Sequence, residues 1–132
     1  MNVFVSGPLM FRDVVKEVTG KTFISQSGLL NGYAQFRLKD EGQSAMIPLP
    51  DSVVDGVVYL DVDAAALAVI DKFQGPRFVR VEVTIEAEGG AWVEADAYCL
   101  KLTRKKVLSA EAWDEDDYRE NYLQKVLKSC QK

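Results

Sequence analysis

The sequence predicts one α+β domain spanning residues 1–132, and three observations carry that reading. First, the hydrophobic period changes in mid-course. Ala66, Leu67, Val69, Ile70 and Phe73 recur at helical spacing, whereas Val79, Val81, Val83 and Ile85 alternate strictly with Arg80, Glu82, Thr84 and Glu86. Second, the breaker run Gln74-Gly75-Pro76 stands between those two patterns, ending a helix and launching a strand. Third, 132 residues that are 48% hydrophobic and 27% charged, without internal repeat or linker, suffice for a single core.

Taken in order, Asn2–Val5 reads as a short buried strand, and Ser6-Gly7-Pro8-Leu9-Met10 as the sharp turn that follows it. Such a loop is either a plain turn or a backbone cradle for an anionic group, since N–H groups leading into a helix can point outward. Phe11, Val14, Val15 and Val18 fall at i, i+3, i+4 and i+7, a brief amphipathic helix stopped by Gly20. Leu30–Leu38 alternates weakly around Gly32, which marks a bulge or a close backbone approach. Asp40–Asp51, polar and holding Pro48 and Pro50, reads as a loop, and Val53–Leu60 as the next strand. Asp63 is placed to cap an Ala-rich helix over Ala64–Phe73.

Arg77–Glu86 and Ala91–Leu102 are two strands joined through Glu88-Gly89-Gly90. On the second, Val93, Ala95, Ala97 and Cys99 form the core face, and Glu94, Asp96 and Tyr98 the opposite one. In the tail, Trp113 and the acidic run Asp114–Asp117 open a helix whose face is Tyr118, Tyr122, Leu123, Val126, Leu127 and Cys130. Acidic residues in its first turn and Lys125 and Lys128 near its end suit the helix dipole. That helix either closes the domain or docks a neighbouring subunit, which leaves the oligomeric state open.

Composition removes several function classes. With 16 Lys+Arg against 20 Asp+Glu the formal charge is −4 and the pI about 4.9, so no basic nucleic-acid surface is expected. Arg104-Lys105-Lys106 reads as a solvated loop. No apolar run reaches membrane-spanning length, and the start at Val3-Phe4-Val5 lacks a signal-peptide pattern, so a cytoplasmic address is expected. The chain has no histidine, which excludes Ser-His and Cys-His catalysis. Cys99 and Cys130 have neither a partner spacing for zinc nor a compartment that favours a disulfide, so no metal is expected.

The run Ile70-Asp71-Lys72-Phe73-Gln74-Gly75, with Phe78 and Arg80 after it, resembles the L-D-x-F-E-G-x-x-Y-x-R signature of the gamma-glutamylcyclotransferase-like (AIG2-like) family. Ser6-Gly7-Pro8-Leu9 is similar to that family's Y-G-(T/S)-L loop, Leu30–Tyr33 to its L-x-G-Y strand, and Val54–Tyr59 to its V-x-G-x-V-Y strand. The tail from Trp113 resembles the family's ending more weakly. The resemblance implies a small mixed, largely antiparallel β-barrel with flanking helices. It implies a site at Ser6, Gly7, Pro8, Leu9, Phe78 and Tyr98 that cups a gamma-glutamyl group, with Gln74 at the catalytic position.

The family's reaction splits a gamma-glutamyl amide by attack of the substrate's own α-amine on the γ-carbonyl, giving 5-oxoproline and an amine. It needs no cofactor and no protein nucleophile, only positioning and one group that moves protons. In the family that group is the carboxylate before the glycine; here Gln74 supplies an amide. An amide hydrogen-bonds but holds no transferable proton at neutral pH. Losing a general acid/base removes on the order of 10²–10⁴ in rate, about 3–5 kcal/mol of barrier. Ser6, Pro8 and Phe78 depart from the pattern as well, and Pro8 removes one N–H donor from the loop. Three readings follow: a divergent cyclotransferase, a non-catalytic binder of a small amide or a partner that keeps the pocket, or an unrelated α+β barrel.

Overall fold

The computed structural model describes residues 1–38, 44–101 and the strand 108–112, together with Arg119, Leu123 and Leu127. The expected basic loop at 104–106 and the acidic helix start at 114–117 lie outside the described residues. Six strands and two helices follow in order. They are β1 (Val3–Val5), α1 (Arg12–Thr19), β2 (Ser25–Leu38), β3 (Ser44–Tyr59), α2 (Ala64–Gln74), β4 (Phe78–Ala87), β5 (Trp92–Leu100) and β6 (Leu108–Ala112).

The sheet runs β3-β1-β5-β4-β2-β6, and β2 pairs back onto β3, so five strands close into a barrel and β6 extends from β2. Among the described strands β1 and β5 are the parallel pair, Val3 opposite Asp96 and Phe4 opposite Ala97. The other pairs are antiparallel. This is the α+β barrel with flanking helices that the sequence predicts.

β1 divides the interior in two. Phe4 packs with Leu30, Met46, Val54, Val58, Ile85, Ala95 and Ala97 in one core. Val3 and Val5, on the strand's other side, join Leu9, Val14, Val15, Tyr59, Leu67, Ile70 and Tyr98 in the core that holds both helices. Strand alternation explains the split, since successive side chains of β1 point to opposite faces. The Phe4 ring fits because β3 passes it at Gly56, where an added Cβ would stand 2.4 Å from the Val5 carbonyl and 2.6 Å from the ring.

The helices form as their ends dictate. Asp63 accepts from the Ala66 N–H at 2.7 Å, and Gly75, at φ +91, closes α2 with its N–H on the Asp71 carbonyl. Gly20, at φ +74, terminates α1. Ala66, Leu67 and Ile70 are buried, while Val69, expected on the same face, is exposed.

Three expectations need correction. Ser44–Tyr59 is one long strand, so the segment read as a loop up to Asp51 is paired from Ser44, with Tyr33 opposite Pro48. The prolines are tolerated because β2 is the only described neighbour of that part of β3. The face Val79–Ile85 is graded rather than uniformly buried: Ile85 is sealed, and Val79 is 44% exposed at the strand's other end. Tyr98, expected on the polar side of β5, is buried at 7% because the adjoining α2 covers that end of the strand. The bulge read at Gly32 is present: Gly32 has φ +84, and the β2–β3 register shifts between Asn31 and Tyr33.

Candidate functional site

The end of α2, the loop after β1 and the starts of β3 and β4 converge on a small cleft. Ser6, Gly7 and Pro8 form one wall, Ser44, Ala45 and Met46 a second, and Phe73, Gln74, Phe78 and Tyr98 a third. The structure therefore brings together six of the seven residues expected at the site. Leu9 is the exception: its side chain is buried in the helix-side core.

The loop is fixed from two sides. Pro8–Met10 form a single 3₁₀ turn, with the Met10 N–H on the Gly7 carbonyl at 2.9 Å. The Tyr59 hydroxyl then donates to the Leu9 carbonyl at 2.8 Å and lies 3.3 Å from that of Met10. Burial pushes the Tyr59 hydroxyl up to about 12, opposed in part by the Arg12 cation. On the other side, Gln35 Nε2 donates to the Ser6 carbonyl and, at 2.8 Å, to Ser44 Oγ. Gly7 meets Ser44 closely, since a Cβ there would lie 2.9 Å from its Oγ.

Gln74 is the last residue of α2 and is half-buried. None of the described residues lining the cleft is a carboxylate. Among the described residues, the carboxylate that touches a cleft residue is Asp71, one helical turn back, which accepts a hydrogen bond from the Tyr98 hydroxyl. Arg80, directly opposite Tyr98 across the β4–β5 ladder, places its Nε 3.6 Å from Asp71 and its Nη1 3.8 Å from Asp96. Burial, and next the hydrogen bond to Asp71, raise the Tyr98 hydroxyl far above its ordinary range. Tyr98 is thus neutral at physiological pH with its proton committed to Asp71.

Sequence reasoning missed Asp71 as a partner of Tyr98, Ser44 as a wall and Gln35 as its anchor. The Asp71–Tyr98 pair spans 27 positions and depends on α2 lying over β5, which no local pattern reveals.

The cleft encloses about 20 Å³, room for a single water molecule. A wider groove of about 560 Å³ crosses the barrel surface at Asn2, Glu82, Thr84, Glu94 and Asp96, but the expected site residues do not reach it. Among the described residues no group of three or more acidic, Cys or His side chains could hold a metal ion, and no helix is long and apolar enough to cross a membrane.

A closed five-stranded barrel with two helices and a cleft at the β1–α2 corner defines the architectural class. Residues 3–120 match the family model described as gamma-glutamyl cyclotransferase, AIG2-like, and the chain belongs to that family. It is 24% identical to AIG2-like protein A of Arabidopsis thaliana over 99% of this chain and 79% of that protein. A solution structure of an Arabidopsis thaliana protein superposes with a TM-score of 0.76 at 25% identity, covering 97% of this chain and 86% of that one. A gamma-glutamyl cyclotransferase structure shares the fold, with a TM-score of 0.66 at 16% identity, over 76% of this chain and 66% of that one.

Proposed function

We propose that this family member binds a gamma-glutamyl or related amide at the Gln74 corner and does not cyclise it efficiently. One observation carries the reading. The polar side chain that ends α2 at the cleft is an amide, and among the described residues no carboxylate lines the cleft beside it. Asp71 does not substitute, because its oxygen is engaged by Tyr98 and faced by Arg80. Without a group that takes the proton from the attacking amine and returns one to the leaving nitrogen, the rate falls by on the order of 10²–10⁴. On this reading the chain is a single cytoplasmic domain that needs no cofactor, and Ser6, Gly7, Pro8, Phe78 and Tyr98 contact the ligand.

A second reading, a non-catalytic module that binds a macromolecular partner, is favoured by the cleft's size. About 20 Å³ compares with the roughly 300–1,000 Å³ of ordinary small-molecule pockets, so a ligand must displace Phe73, Phe78 or Gln74 to enter.

The experiment is 5-oxoproline release from a panel of gamma-glutamyl amino acids and amines by wild type and Gln74→Glu. Negligible turnover by wild type and a gain of about 10²-fold or more in the variant is the expected result. Brisk turnover by wild type would overturn the non-catalytic reading. Silence from both proteins, with no ligand binding, would favour the partner-binding reading.

A further inference from the structure

We propose that Asp71 is a positioning residue that fixes the polarity of the cleft: it holds the Tyr98 hydroxyl so that its oxygen acts there only as an acceptor, selecting ligands that present an N–H donor. The inference rests on the ligand-binding reading above and adds what the site demands of its occupant.

A tyrosine hydroxyl ordinarily serves as donor or acceptor, because its proton rotates to suit its partner. At this site that freedom is removed. Tyr98 lines the cleft, is 7% exposed, and donates its proton to the Asp71 carboxylate. An ionised carboxylate only accepts, so the bond has one direction. Arg80 flanks the same carboxylate oxygen at 3.6 Å and reaches towards Asp96 at 3.8 Å, placing a cation beside the group that accepts from Tyr98. The displacement of the Tyr98 hydroxyl towards the neutral form agrees with this direction. What remains to Tyr98 is lone-pair capacity.

The opposite wall has a complementary bias. Ser44 Oγ already accepts from Gln35 Nε2, so its own proton is available for donation. A group carrying a carbonyl oxygen and an N–H fits such a pair of hydroxyls, whereas one that only accepts would leave the Tyr98 lone pairs facing another acceptor. A buried acceptor without its donor is costly, and the expected discrimination is roughly tenfold or more.

The test measures binding by isothermal titration calorimetry to wild type, Asp71→Asn and Tyr98→Phe. Two matched comparisons are used: a glutamate γ-methylamide against the γ-methyl ester, and the γ-methylamide against its deaminated analogue. Wild type should prefer the N–H-bearing member of at least one pair by about tenfold. Both variants should lose that preference: Asn returns donor freedom to Tyr98, and Phe removes the oxygen while keeping the ring. A merely structural role for Asp71 would weaken both members of each pair equally, and that result overturns the proposal. Equal affinities for all members in wild type overturn it too, leaving the ligand-binding reading intact. No binding of any probe by wild type removes the ligand-binding reading and the proposal together. Should Asp71→Asn fail to fold, a preference retained by Tyr98→Phe, or equal affinities in wild type, would still overturn the proposal.

Discussion

Tyr59 fastens the cleft loop to the barrel, and raising the pH should undo that fastening measurably. Its hydroxyl donates to the Leu9 carbonyl from a position 2% exposed, and burial pushes it from 10.0 up to about 12. A displacement of that size corresponds to about 3 kcal/mol of linked stability. The folded-state value is the raised one, so the contribution is whole below pH 10 and is lost progressively as pH climbs from 10 through about 12. Cys99, a buried thiol moved from 9.0 to about 11, acts in the same direction from pH 9 upward, and Tyr98 also shifts upward. Urea unfolding of wild type and Tyr59→Phe at intervals between pH 8 and 12 separates these contributions. At pH 8 the variant should be less stable by about 1–2 kcal/mol, because the Leu9 carbonyl loses its donor. Across the alkaline range it should then lose about 3 kcal/mol less than wild type does. Parallel pH profiles for the two proteins would refute the reasoning, since they would mean that Tyr59 ionises as freely in the fold as out of it.

Two further perturbations test the fold around the site. Gly56→Ala should destabilise by about 3 kcal/mol and lower Tm by about 10 °C in calorimetry, since the new methyl meets the Val5 carbonyl, which is backbone and cannot swing aside. An unchanged Tm would mean that β1 and β3 separate more easily than their contacts suggest. Asp63→Ala should lower Tm by about 3 °C near neutral pH through loss of the α2 cap. Hydrogen bonds from Lys21 first, and then from the Ala66 N–H, hold the Asp63 carboxyl below its ordinary 3.8. Its contribution is therefore present above that value and lost as pH falls through the lowered one, so the two proteins should converge in Tm on acidification.

The parts of the fold legible in the sequence are those whose cause is local. Asp63 and Gly75 bound α2 through bonds made within three or four residues, and Gly20 closes α1 in the same way. The period change after Phe78 was equally readable, because alternation is a property of the strand itself. The long β3 was not. Pro48 and Pro50 carry a local signal against a strand, and they are harmless where β2 is the only described neighbour of β3. The resemblance to the family indicated which residues share the corner, and six of them line one cleft. What Tyr98 does there was hidden, because its alternation with Cys99 predicts a solvent-facing side chain. Only α2, crossing with Asp71 above it, makes that face interior.

The place of β1 bears on how the site comes into being during synthesis. Its three residues leave the ribosome well before the strands they pair with, since its antiparallel partner is Val57–Tyr59 and its parallel partner lies at Asp96–Ala97. At about 5–20 residues per second, the parallel partner emerges roughly 5–20 s after β1 itself. Until then Phe4 has only part of its barrel packing, and the strand that launches Ser6 and Gly7 can be held on its β3 side alone. The cleft is therefore a late product of folding, completed when β5 slots in beside β1, although the loop that builds its first wall, Ser6–Pro8, directly follows β1. A chain stalled before β5 would carry the loop and Gln74 without the site.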